Sequence, residues 1–130
     1  MPAVQPAIDL YDVDSRRRLA KMVTRLFDHW QLTVEEQAVL LGLSPKSRTT
    51  IARYRRGHPL AARQDLIARV GHLLGIHQAL RKIFPHNKEL AYRWVSQPNR
   101  RFDHRPPLAI MKQGYEGFLT IRRYLDLEAP

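Results

Sequence analysis

No cysteine occurs anywhere in the 130 residues. Disulfides, thiolate zinc sites and a cysteine nucleophile are thereby excluded, and a reducing cytoplasm fits. Long apolar runs are missing too. None approaches the ~20 residues of a membrane span, so no membrane partner is expected. The amino terminus, MPAVQPAIDLYDVDSRRRLA, carries Asp9, Asp12 and Asp14 and no continuous apolar stretch, unlike a secretory signal. Acid is in short supply: 12 Asp and Glu stand against 22 Lys and Arg, a net charge of +10. That balance favours a polyanionic partner through phosphate neutralisation. It equally describes a generally basic surface. Apolar residues make up 44% of the chain, enough for a core. The length suits one compact unit or two small subdomains.

Catalytic signatures are equally scarce. The six histidines are His29, His58, His72, His77, His86 and His104, and none forms an H-E-x-x-H spacing. His72 and His77 are not one helical turn apart, as paired helical ligands would be. There is no phosphate-cradling glycine loop and no G-x-S-x-G elbow. The acids are scattered, without the pairing that acid–base chemistry needs. No metal, cofactor or enzymatic activity is expected.

What the chain does have is helical periodicity. Residues 1–14, with two prolines and three acids, read as an arm. Ser15 or Asp14 is a candidate cap for a helix beginning at Arg16. Leu19, Met22, Val23, Leu26, Phe27 and Trp30 recur at three-and-four spacing and make one apolar face. Arg16, Arg17, Lys21, Arg25 and Asp28 fall on the other, which reads as a solvated face. Thr33-Val34-Glu35-Glu36 is a capping box, and Gly42 is a helix stop. Ile51 and Tyr54 anchor a further helix that ends at Gly57-His58-Pro59. Leu66, Ile67, Val70, Leu73, Leu74, Ile76, Leu80, Ile83 and Phe84 mark one long helix, or two broken near Gly75. Gly71 and Gly75 each cost about 1 kcal/mol against alanine, and glycines four apart also permit close helix approach. Pro85 breaks the pattern, Asn87 caps the next helix, and Pro98 ends it. Residues 98–106 form a basic, irregular link. Pro107 suits a helix first turn, and Gly114 closes that helix. A last helix runs through Phe118, Leu119, Ile121, Tyr124 and Leu125. Period-two alternation is absent, so no strands are expected.

The segment Thr33 to Gly57 resembles an Xre-type helix-turn-helix. Gln37, Ala38, Leu41, Gly42, Leu43 and Ser44 match its first helix and turn. Ile51 and Tyr54 are the inward anchors of the second helix. Between them lies a mixture suited to DNA: Arg48, Thr49, Thr50, Arg53, Arg55 and Arg56. The chain departs from the family by three residues inserted around Pro45-Lys46-Ser47. A scaffold that has lost base readout is the bland alternative.

The stretch Arg69 to Asp126 is similar to the toxin-binding domain of Xre/MbcA/ParS antitoxins. The matching motifs are R-V-x-H-L-L-G-I-x-x-A-L, F-P at Phe84-Pro85, and W-V-x-x-P-N-x-x-F from Trp94. They continue as P-L-x-x-M-x-x-G from Pro107 and I-R-R-Y-L-D from Ile121. Asp103-His104 stands where the family commonly has glycine, and Pro106 where Ser or Thr is common. The resemblance implies an all-α fold, an N-terminal helix-turn-helix subdomain followed by a small helical toxin-binding subdomain. The division expected is an arm over 1–14, the helix-turn-helix over 15–58, and toxin binding and dimerisation over 60–130.

The resemblance further implies a cytoplasmic type II antitoxin. Its partner would be a RES-type, NAD-consuming toxin whose active site it obstructs, and it would repress its own operon by binding operator DNA as a homodimer. Toxin-facing candidates are Asn99, Arg100, Arg101, Phe102, Arg105, Met111, Arg122, Arg123, Tyr124 and Asp126. Arginine and tyrosine are favoured interface anchors. Each also has a plainer reading: Trp94 as core, Asn99 as a cap, Phe102 and Met111 as core plugs, Arg122 and Arg123 as partners of the helix dipole. The Leu66–Phe84 segment is either a dimer interface or the monomer's central helix. Rival functions are a stand-alone regulator without a toxin and an interaction module that no longer binds DNA. A ParS-like accessory role is a third.

Overall fold

The computed structural model describes residue 9 and residues 11–128. Those residues form seven α-helices and two short 3₁₀ turns, with no strand among them. Helix α1 spans Val13–His29, α2 Val34–Leu40, α3 Arg48–Arg55 and α4 Gln64–Ile83. Helix α5 spans Lys88–Arg93, α6 Pro107–Met111 and α7 Tyr115–Glu128.

Helix α1 starts earlier than the expected Arg16. Its cap is Asp12, whose Oδ1 accepts from the Ser15 amide at 2.8 Å. The Ser15 hydroxyl donates to the same carboxylate and is spent there. Val13 and Asp14, read as part of the arm, are therefore already helical. The rest of the arm reading, save Asp9, Tyr11 and Asp12, lies outside the described residues. Val23, Leu26, Phe27 and Trp30 are buried as expected, but Met22 is 52% exposed. It lies about 100° round the helix from Val23, beyond the edge of the stripe.

Helix α4 runs unbroken through Gly75, so the long-helix alternative holds. Its apolar residues Leu66, Val70, Leu73, Ile76 and Leu80 are interior to this chain, which makes α4 the central helix. One contiguous core joins Phe27 and Leu26 of α1 to Phe118 and Ile121 of α7 around it. Of the two glycines, only Gly75 serves close approach: the Arg122 guanidinium of α7 lies where a Cβ would come within 2.7 Å. Nothing crowds Gly71.

The second half is built by caps and breaks. Asn87 Oδ1 accepts from the Leu90 amide at 3.0 Å and starts α5, as expected. Pro107 opens α6. The turn from α6 to α7 is tight enough that a side chain at Gly117 would overlap the Ile110 carbonyl oxygen. Glycine is the residue type that allows this approach.

Candidate functional site

The first candidate surface is α2, its turn and α3. Both halves of the capping box are made: Glu36 N donates to Thr33 Oγ1 at 3.1 Å, and Thr33 N donates to Glu36 Oε1 at 3.0 Å. Gly42 follows with φ of 72°, a left-handed conformation that suits glycine. The extra residues form a turn closed by the Ser47 amide on the Ser44 carbonyl at 2.9 Å. They absorb the insertion, and α3 still packs against α2, on which Ala38 is buried. The cost is at its start, where Ser47 makes no side-chain cap. Ile51 and Tyr54 point inward, 2% and 6% exposed.

Of the candidate DNA residues, Arg48, Thr49, Arg53 and Arg56 are exposed, and Thr50 is half-buried. Arg48 stands 3.6 Å from Glu35 in an open pair. Such a pair is worth little and exchanges readily for a phosphate. Arg55 is differently engaged. It donates to Asp28 Oδ1 at 2.6 Å and to Gln37 Oε1 at 3.2 Å. That stitches α3 to α1 and α2, so Arg55 positions the helix rather than reaching outward.

The second candidate surface is built around residue 99. Asn99 Oδ1 accepts from the Arg101 amide at 2.9 Å, and the Asn99 carbonyl accepts from Phe102 N and His104 N. The Asn99 amide in turn donates to the Arg105 carbonyl at 3.3 Å. Residues 99–105 are thereby a closed loop, and the link expected to be irregular contains a 3₁₀ turn over Arg100–Phe102. Asp103 and His104 both take the left-handed conformation, with φ of 56° and 64°. The loop keeps a glycine-type geometry without glycine.

This loop presents Phe102 edge-on to Tyr124, ring centroids 5.4 Å apart. Trp94 stacks on Tyr124 at 6.0 Å, and the Arg101 guanidinium lies over the same tyrosine at 5.9 Å. All three rings are half-buried, so Trp94 packs on the core without being enclosed by it. Arg100, Arg101, Arg105, Arg123 and Asp126 are exposed. Two candidates are not at the surface in the way expected. Met111 is 1% exposed and plugs the core beneath α6. Arg122 turns toward α4, donating to His72 Nδ1 at 3.3 Å.

Sequence reasoning missed the residues that join the two surfaces. The Lys112 ammonium meets Glu36 of the capping box at 2.6 Å. Partial burial raises the Glu36 pKa, but the Lys112 bond and the Thr33 amide outweigh it and hold the carboxyl below its ordinary value. Arg69 of α4 reaches the Leu40 carbonyl at 3.4 Å and lies over the Phe118 ring at 5.7 Å. Tyr92 of α5 is sandwiched between His29 of α1, at 4.2 Å, and His77 of α4, at 4.9 Å. Among the described residues, no group of three His, Asp or Glu side chains stands together to hold a metal ion. No helix among them is long and apolar enough to cross a membrane.

Comparison with known proteins gives two family-model matches. Residues 9–75 match the antitoxin Xre-like helix-turn-helix domain. Residues 79–128 match the antitoxin Xre/MbcA/ParS C-terminal toxin-binding domain. The chain is also 36% identical over 105 residues to the uncharacterized protein y4oB of Sinorhizobium fredii, covering 80% of this chain and 78% of that relative.

Proposed function

This chain belongs to the Xre/MbcA/ParS antitoxin family, and from that premise we propose that it neutralises a RES-type, NAD-consuming toxin by direct binding and represses its own operon. It acts by binding, in the cytoplasm, and not by catalysis. The observation that carries the toxin-binding half is the Trp94–Tyr124–Phe102 cluster under Arg101. It lies within the toxin-binding match and puts rigid aromatics beside an arginine in a half-buried patch. That is the chemistry of an interface hot spot. Asn99 shapes the loop, while Arg100, Arg101, Phe102, Arg105, Arg123, Tyr124 and Asp126 supply contacts that close the toxin's active site. Met111 and Arg122 hold this surface from within.

Residues 15–58 carry DNA recognition and residues 60–130 carry toxin binding and dimerisation. Arg48, Thr49, Thr50, Arg53 and Arg56 meet the operator, Arg55 fixes their helix, and a homodimer reads paired half-sites. The test is co-expression with the protein encoded by the adjacent gene. That neighbour alone is expected to arrest growth, and this chain to restore growth and co-purify with it. A harmless neighbour that does not bind leaves the stand-alone regulator, which the exposed arginines of α3 already favour as the second reading.

A further inference from the structure

Arg17, Arg18 and Lys21 of α1 line a cleft of about 410 Å³ with Arg56 and Gly57 from the end of α3. The sequence alone makes Arg17 and Lys21 part of a solvated face and assigns Arg18 no role. Three observations argue for more. The cleft is a built junction: the Lys21 stem passes so close to Gly57 that a Cβ there would meet Lys21 Cε at 2.8 Å. Arg16 fixes the following loop to α1 by donating to the Leu60 carbonyl at 2.8 Å.

Much of the charge is also without an ion-pair partner. Arg17 pairs with Asp14 in an exposed contact, and Asp12 lies near Arg18 at the helix start. Among the described residues, Arg18, Lys21 and Arg56 enter no salt bridge, whereas Arg48 and Arg55 of α3 each have an acidic partner. Finally, Arg17 and Arg18 lie past the first turn of α1 and Lys21 at mid-helix, so a macrodipole acting on the terminal turns does not explain them.

We propose that this cleft is a phosphodiester-binding site that grips the backbone of the duplex met by α3. It rests on the DNA-binding reading above and adds a second, sequence-independent contact to it. Phosphate contacts set register and affinity, and base contacts set specificity. The two halves therefore separate experimentally.

The test uses the full chain, fluorescence anisotropy over a salt series, and two duplexes: the promoter of its own gene and a scrambled duplex of the same composition. The double variant R18Q/K21Q is expected to bind both duplexes more weakly in equal proportion. Its log–log salt slope should be shallower by roughly two, one unit for each phosphate no longer neutralised. The variant T49A/R53A is expected to lower the ratio of promoter to scrambled binding. Both pairs are exposed, and matched thermal melts confirm the fold. A wild-type slope in R18Q/K21Q overturns the phosphate site, whatever T49A/R53A does. A shallower slope in R18Q/K21Q with an unchanged ratio in T49A/R53A supports the site and removes base reading by α3. A wild-type chain that binds neither duplex removes both.

Discussion

Asp103 and His104 show how one loop holds its shape against its own residue types. A side chain in the left-handed region costs roughly 1 kcal/mol or more, although aspartate and histidine tolerate it better than most. The loop is held there because the Asn99 carbonyl accepts from the amides of both Phe102 and His104. Replacing His104 by glycine removes the steric cost and adds back a smaller unfolded-state entropy. We expect His104→Gly to stabilise the chain by about 0.5 kcal/mol, a rise in Tm of roughly 2 °C. A thermal melt checks it, and a fall in Tm would mean that the imidazole itself supports the loop. At this scale the sequence was partly legible. The departure from glycine was visible, but the positive φ at both positions was not, since it is set by a hydrogen-bond pattern that closes only in the folded loop. The packing role of Arg55 was hidden for a similar reason. Its hydrogen bonds go to Asp28 and Gln37, on other helices, and no local pattern announces them.

Helix α4 joins the element scale to the molecule. It packs against α1, α5 and α7, and two histidines on it have lowered pKa values. Burial lowers the His72 pKa, and the Arg122 charge lowers it further. His77 is lowered by burial first, then by Arg81 and His29, and its Nδ1 is enclosed without a partner. His72 Nδ1 must be unprotonated to accept from Arg122, while Nε2 meets the Tyr115 hydroxyl at 2.8 Å. Protonation breaks that link between α4 and α7.

The unfolded histidines titrate near 6.5, above their folded values. Their stabilisation is complete above that pH and is lost as pH falls from there through the lowered folded pKa. Tm is therefore expected to drop as pH falls below about 6.5, and H77F, which keeps a ring against Tyr92, to flatten that drop. An unchanged pH slope in H77F would assign the drop elsewhere. The helices themselves were the most legible layer. Apolar periodicity, the capping box and the prolines located all seven, because those signals are local. The start of α1 and the continuity of α4 were not fixed by local signals. An earlier carboxylate won the cap of α1, and tertiary packing overrode the glycine penalty in α4.

Across the whole molecule, the two candidate surfaces share one core. Lys112 to Glu36 and Arg69 to Leu40 tie α2 to the C-terminal half, and the His29–Tyr92–His77 stack ties α1 to α4 and α5. None of these pairs is close in sequence, and pairings of that kind leave no periodic trace. The two motif sets, by contrast, were legible because each is a dense, ordered run of residue types.

Toxin capture by the C-terminal surface is the centre of this reading. Its sharpest test is the affinity of the neighbouring gene's product for R101E and Y124A, beside R18Q/K21Q as an untouched-surface control. Arg101 is exposed, so its charge reversal leaves the fold intact and isolates the contact. Both C-terminal variants are expected to lose at least tenfold in affinity, the scale of an interface anchor worth more than about 1.4 kcal/mol, while the control binds as the wild type does. Wild-type affinity in R101E and Y124A, with the toxin still bound, would contradict this reading and place the toxin on another face.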